Sequence, residues 1–147
     1  MSASKHIAKN LVTAWLKQND VKARNSKVGV NFVYEGWNFL LWNDADDPLF
    51  FRLTLPGIFD VNDENYAVAL MACNTLNWNY KVVKASLYEY EESGKRQASV
   101  WVCYEQMLDA TIANPDEIVM RAVTALIEAA EHFQSMVERL EENPTQT

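Results

Sequence analysis

The sequence predicts an α+β fold: a single antiparallel five-stranded sheet packed with three helices, in the order α-β-β-β-α-β-β-α. Two runs, residues 83–87 and 100–104, alternate apolar and polar side chains on either side of a polar turn that contains Gly94. Such period-two alternation indicates an antiparallel hairpin with one buried face. Helical apolar patterns lie before and after this hairpin, and together the three features predict helices packed on an antiparallel sheet.

The N-terminal third of the chain predicts one helix followed by three strands. Ile7, Leu11 and Trp15 recur at helical spacing, which indicates an amphipathic first helix that ends near residues 18–20. Three alternating runs then predict a meander of strands at residues 28–34, 37–41 and 49–55. Turn-forming residues close each joint, at residues 35–36, 44–48 and 56–57.

Two further helices complete the predicted order. Residues 60–64 supply N-cap candidates and first-turn acids for the second helix, which is expected to end near residues 77–79. Its predicted apolar stripe consists of Tyr66, Ala69, Leu70, Cys73 and Leu76. The third helix has a strong start signal, with Asn114 at the N-cap and Pro115 at the first helical position.

The third helix carries a wider apolar arc than one sheet face requires. Beside its main stripe lie Val119, Met120, Val123 and Ile127, and its 28 or so residues reach about 40 Å. Two explanations remain open. The extra width covers a partner or a second copy of the chain, or the first helix covers it internally.

Length and composition fit one domain over residues 1–147, with an ordered core at about residues 4–142 and a flexible tail at 143–147. Apolar runs are too short to cross a bilayer, and the N-terminus has no secretory pattern, so we expect a cytoplasmic protein. Cys73 and Cys103 are expected to be reduced, buried structural residues rather than redox or metal ligands.

The chain carries 13 basic and 20 acidic residues, a net charge of −7. An acidic surface repels phosphate groups, which argues against nucleic acid and anionic membranes as partners. A basic or amphipathic protein segment is a better partner, although acidity can also serve solubility alone.

No motif predicts catalysis, a cofactor or a metal site. Asp44, Asp46 and Asp47 lack the spacing of a calcium-binding loop and are better explained by a turn. His6 and His132 have no second ligand at a useful spacing. Asn74 and Asn77 could bind an extended partner backbone, but their place at a helix end favours a structural role.

Aromatic residues supply the most useful functional indication. If the predicted alternation holds, Phe50, Tyr88, Tyr90 and Trp101 lie on the sheet face opposite the Val/Leu face. A half-exposed aromatic sheet face is typical of a protein-contact surface. The competing interpretation is that helices cover both faces of the sheet.

The order of elements and several segments resemble the YbjN-like family, which shares the fold of class I type III secretion chaperones. The matching segments are residues 33–41, 46–48, 51–56, 72–77 and 81–84, together with the closing helix. The resemblance covers residues 20–140 or so. It implies a single-layer antiparallel sheet with helices packed on it, and often a homodimer. In the secretion chaperones it also implies binding of an extended protein segment, and in YbjN-like proteins an ill-defined regulatory or stress-related role; no catalytic residues come with it.

The sequence therefore predicts a non-enzymatic protein-binding module without cofactor or metal, regulatory or chaperone-like, and forming a homodimer. The residues predicted to contact a protein partner are Phe50, Tyr88, Trp101, Met120 and Val123. The alternative is an enzyme or metal-binding domain whose site is assembled from scattered carboxylates, namely Asp44, Asp47 and Glu105.

Overall fold

The computed structural model describes residues 7–43, 46–108 and 114–142. Within these ranges the helices are α1 (Ile7–Gln18), α2 (Tyr66–Asn79) and α3 (Pro115–Glu142). The strands are β1 (Ala23–Asn25), β2 (Gly29–Tyr34), β3 (Trp37–Trp42), β4 (Phe50–Val61), β5 (Val83–Glu92) and β6 (Lys95–Met107). The predictions for His6, Asp44 and the tail at 143–147 fall outside the described residues. No helix in the described part of the chain is both long and apolar enough to cross a membrane.

The described strands form one antiparallel sheet in the order β1-β2-β3-β4-β6-β5. The α+β class and three helices are as predicted, but the sheet has six strands, so the prediction of five is wrong. The additional strand is β1, which pairs with β2 at the sheet edge, and all three of its residues are exposed. Backbone hydrogen bonds hold such an edge strand, so it leaves no apolar alternation in the sequence.

Strand β4 continues beyond the point at which the sequence predicts its end. The turn expected at Pro56 and Gly57 is instead an irregularity within the strand, where the pairing with β6 shifts register between Leu55 and Phe59. Gly57 has a φ of +60°, a conformation that glycine adopts without a steric penalty. Beyond the shift, Phe59 contacts the ring of Phe133 in α3 at 5.5 Å.

Both predicted hairpin turns form. Glu35 and Gly36 join β2 to β3, and Ser93 and Gly94 join β5 to β6, with positive φ at all four residues. Consecutive residues with positive φ are the mark of the two-residue turn that matches the twist of antiparallel strands.

The three helices pack on one face of the sheet and build the core there. Helix α3 crosses β4, β5 and β6, while α2 packs against β5 and α3. Helix α1 packs on α3, and its Trp15 lies over β2 with its ring 5.0 Å from that of Tyr34. Val123 of α3 is fully buried. Of the two explanations for the wide apolar arc of α3, internal burial therefore holds for Val123, whereas Met120 of the same arc stays 39% exposed.

The burial of α2 differs from its predicted stripe. Ala69, Cys73 and Leu76 are buried as predicted, but Tyr66 and Leu70 are exposed. The helix has no charged residue, so its sequence offers no polar face from which the direction of the core could be inferred. At its start, Asn62 and Asn65 exchange hydrogen bonds between side-chain oxygens and backbone amides, at 2.8 and 2.9 Å.

Candidate functional site

The outer face of the sheet, opposite the helices, carries a group of aromatic side chains around one arginine. We call this group the outer cluster: Trp42, Phe50, Arg52, Tyr88, Tyr90 and Trp101. Its members come from β3, β4, β5 and β6, which lie side by side. In each strand they alternate with core residues, because successive side chains of a strand point to opposite faces.

The aromatic rings of the outer cluster contact one another across three strands. The Tyr88 and Trp101 ring centroids are 4.5 Å apart, and Tyr88 stacks on Tyr90 at 5.8 Å. Trp101 also approaches Trp42 at 6.3 Å. These separations fall in the range of favourable aromatic pairs, so the rings form one continuous surface.

Charged side chains lie beside these rings. The Arg52 guanidinium lies 5.8 Å from the centre of the Trp42 ring and 5.2 Å from that of Phe50, distances typical of cation–π contacts. Glu105 lies between two cations, with its Oε1 atom 2.5 Å from the Lys84 ammonium and 4.0 Å from Arg52 Nε. The surface therefore combines apolar area with fixed charge.

Short hydrogen bonds fix the two tryptophans. Trp42 Nε1 donates to Thr54 Oγ1 at 2.8 Å, and Trp101 Nε1 donates to Ser99 Oγ at 2.9 Å. The Thr54 hydroxyl donates in turn to Cys103 Sγ at 3.4 Å. Thr54 and Ser99 are both buried, which places their hydroxyls beneath the rings. These hydrogen bonds thus fix the orientation of the two tryptophan rings.

The two thiols are held in their protonated form. Burial raises the pKa of Cys73 to about 11. Burial also raises the pKa of Cys103, against the lowering effect of its hydrogen bond from Thr54. A protonated thiol is a poorer nucleophile and metal ligand than a thiolate, so burial lowers the reactivity of both cysteines at neutral pH.

The structure brings together three of the five predicted contact residues. Phe50, Tyr88 and Trp101 lie in the outer cluster, whereas Met120 and Val123 belong to α3 on the other side of the sheet. Met120 is 39% exposed, but Val123 is 0% exposed and contributes nothing to the surface of the chain. The structure thus contradicts the prediction that Val123 contacts a partner, because its side chain is fully buried within the chain.

Sequence reasoning missed Trp42 and Arg52, and it missed a second apolar surface on α2. The alternation of side chains along β3 and β4 could have identified Trp42 and Arg52, because each of them is next to a buried residue that faces the core. On α2, Trp78 is 88% exposed, and Leu70 and Met71 are also exposed. The sequence feature that could have indicated this exposed apolar surface is that α2 contains no charged residue.

The remaining candidate residues are dispersed. Asp47 and Glu105, proposed as parts of a scattered carboxylate site, line different depressions on the described surface. No group of three or more His, Cys, Asp or Glu residues in the described ranges is placed to hold a metal ion. His132 lies near Tyr80, with 3.4 Å between His132 Nδ1 and the Tyr80 hydroxyl.

Asn77 has the structural role that its position favoured. Its side-chain amide donates to the Ala85 carbonyl at 3.0 Å and accepts from the Ala85 amide at 2.7 Å. It therefore binds both backbone groups of one residue in edge strand β5. Asn74, one turn earlier, is exposed.

Comparison with known proteins identifies the fold. No protein-family model and no curated protein matches the sequence. The structure is similar to the crystal structure of YbjN from E. coli, a candidate transcription regulator, with a TM-score of 0.55. The similarity covers 92% of this chain and 93% of that chain at 8% sequence identity, a level at which only the fold is shared. The chain therefore has a YbjN-like fold, as its sequence resemblance implies.

Proposed function

On the premise of a YbjN-like fold, we propose that this chain is a non-catalytic protein-binding module whose outer sheet face binds a protein segment. One observation supports the proposal above the others. The outer cluster lies on the sheet face that the three helices leave uncovered, with Tyr88 47% exposed. Monomeric proteins rarely leave joined aromatic side chains on the surface without a use for them.

The residue types of the outer cluster suit protein recognition. Tryptophan, tyrosine and arginine are the residues that most often dominate the binding energy of protein interfaces. The hydrogen bonds of Trp42 and Trp101 hold their rings in place, so binding costs little conformational entropy at these positions. The outer cluster thus has both the composition and the rigidity of an interface centre.

Local charge indicates the chemistry of the partner. Two cations, Arg52 and Lys84, flank the carboxylate of Glu105, so these three side chains carry a net positive charge in a chain of net charge −7. A segment that presents apolar side chains together with an acidic residue complements it. A regulatory role through such contact agrees with the description of YbjN as a candidate transcription regulator. A chaperone-like role would agree with what the sequence resemblance to secretion chaperones implies.

A site-specific photo-crosslinker tests the proposal. A benzophenone amino acid at Tyr88 should cross-link a different protein in native lysate, whereas the same group at Val28, 50% exposed and outside the outer cluster, should not. The substitution Arg52→Ala should reduce the Tyr88 product, because it removes the cation that lies over Trp42 and Phe50. Equal products at both positions, or a Tyr88 product indifferent to Arg52, would contradict binding at the outer cluster.

A further inference from the structure

The outer sheet face holds a depression of about 250 Å³ beside the rings of the outer cluster. Two of its lining residues, Ser86 and Cys103, have short side chains, and each pairs across the sheet with a long one. Ser86 lies opposite Trp101, and Cys103 lies opposite Lys84. We call this depression the outer pocket. Sites for drug-sized ligands measure about 300–1,000 Å³, so the outer pocket suits a smaller ligand of one ring and a few further atoms.

Aromatic side chains make one part of the outer pocket apolar. Trp42, Tyr88 and Trp101 line it, and their rings contact one another. The ring nitrogens of the two tryptophans are already engaged, since they donate to Thr54 and Ser99. These rings therefore offer a ligand apolar surface, on which a flat aromatic ring packs favourably.

The charged side chains of the outer pocket determine the sign of its ligand. Glu105 alone would favour a cation, but its Oε1 atom already lies 2.5 Å from the Lys84 ammonium and 4.0 Å from Arg52 Nε. These two cations and one carboxylate leave one positive charge unbalanced. The Lys84 ammonium has three donors and its side chain is 58% exposed, so it can bind a second carboxylate. A dianion such as phosphate would exceed the single unbalanced charge.

We infer that the outer pocket binds a small aromatic monocarboxylate, with the ring of the ligand against Tyr88 and Trp101 and its carboxylate on the Lys84 ammonium. The sheet sets these contacts at a suitable separation. Lys84 and the residue that pairs with Trp101 are two positions apart along β5, which is about 7 Å. A ring joined to a carboxylate through two methylene groups spans about that length. The inference goes beyond the binding of a protein segment and does not require it.

Titration of the full chain with 3-phenylpropionate, followed by two-dimensional NMR of the tryptophan ring N–H groups, tests the inference. The signals of Trp42 and Trp101 should shift and saturate with a dissociation constant on the order of 1 mM, which is ordinary for a ligand of about ten non-hydrogen atoms. The signal of Trp78, which is 88% exposed on α2, is the internal control and should not move. The uncharged 3-phenylpropionamide should bind at least ~10-fold more weakly, because it lacks the anion. Equal affinities for acid and amide, or no saturation up to about 20 mM acid, overturn the inference.

Substitutions of charged residues test where the carboxylate binds. Lys84→Met should weaken the binding of 3-phenylpropionate at least ~10-fold, because it removes the ammonium. The matched control Lys22→Met makes the same change of charge at an exposed lysine just before β1 and should leave the affinity unchanged. Glu105→Gln should strengthen binding at least ~2-fold, because it removes the carboxylate that competes for Lys84. Weaker binding by Glu105→Gln, or equal losses in the two lysine variants, overturns the inference.

A peptide distinguishes a free acid from the last residue of a protein, which can carry the same ring and carboxylate. An acetylated tripeptide that ends in phenylalanine with a free carboxylate should bind no more tightly than 3-phenylpropionate. A peptide that binds at least ~10-fold more tightly than the acid overturns the inference in favour of a protein C-terminus. The titration needs no protein partner, so a missing cross-link at Tyr88 leaves its result unaffected, and the inference and the proposed function fail separately.

Discussion

The outer cluster and the exposed side of α2 both carry tryptophan, but they hold it in different ways. Trp101 contacts Tyr88 and Trp42, and its ring nitrogen donates to Ser99. Within the described ranges the Trp78 side chain has no ring contact or hydrogen bond, and Trp78 is 88% exposed. The contacts of the outer cluster therefore stabilise the fold, whereas the exposed side chain of Trp78 contributes little to the stability of the chain. Substitutions that affect stability and association separately can distinguish the two surfaces.

The largest expected effect comes from a residue that belongs to neither surface. Val123→Asp should lower the free energy of unfolding by at least ~3 kcal/mol, because it buries an unpaired carboxylate in the core. The control Met120→Asp, at a partly exposed position of the same helix, should cost less than about 1 kcal/mol. Urea denaturation followed by circular dichroism measures both. A stable Val123→Asp variant would place α3 among the exposed surfaces after all.

A pair of tryptophan substitutions measures the comparison directly. Trp101→Ala should cost about 2 kcal/mol of stability, because it removes two aromatic contacts and leaves the Ser99 hydroxyl without its donor. Trp78→Ala should change the stability of the monomer by less than about 0.5 kcal/mol. Both values come from chemical denaturation at low protein concentration. Equal costs would show that the two tryptophans are held alike.

Removing the Glu105 charge should have a smaller effect. Glu105→Gln should cost about 1 kcal/mol, because Glu105 lies between Lys84 and Arg52 with its side chain only 22% exposed. The matched control is Glu89→Gln, whose partner Arg96 is almost fully in solvent, and it should cost less than about 0.3 kcal/mol. The difference between the two variants should shrink in high salt. A larger cost for Glu89→Gln would contradict a structural role for the charges beside the outer cluster.

The smallest effect at neutral pH is a difference in thiol reactivity between the buried and the exposed side of α2. Cys73 lies on the buried side, and its pKa of about 11 against an ordinary 9.0 lowers its thiolate fraction about 100-fold at pH 8. An Asn74→Cys variant, one residue further on the exposed side, should be alkylated correspondingly faster, as peptide mapping by mass spectrometry can measure. Because the folded pKa is raised, the unfolded state loses its proton first. The contribution to stability is therefore complete below pH 9 and is lost between pH 9 and about 11.

Regular side-chain periodicity made most of the fold predictable. The hairpin of β5 and β6 and the start of α3 at Pro115 follow from alternation and capping residues alone. Strand β1 could not be predicted, because its three exposed residues are held by backbone pairing. The passage of β4 through Pro56 was also hidden, since proline and glycine together are typical of a turn, and only pairing with β6 carries the strand onward.

The candidate site was predictable only in part, for a related reason. Alternation placed Phe50, Tyr88 and Trp101 on one face, but it could not show that β4 neighbours β6 and so brings Arg52 beside Glu105. The burial of Val123 could not be predicted, because it depends on how α3 packs against other elements, and the local side-chain pattern does not specify that packing. The exposed side of α2 was misassigned because an uncharged helix gives no indication of which side faces water.

The hydrogen bonds between Asn77 and Ala85 have a consequence for how the protein avoids aggregation. Strand β5 ends the sheet, and an unprotected last strand is a template on which foreign strands can add. The side-chain amide of Asn77 binds both the N–H and the C=O of Ala85, so these two backbone groups are not open to a further strand. An incoming strand can pair at Ala85 only if Asn77 first moves away, which hinders strand addition at this end of β5.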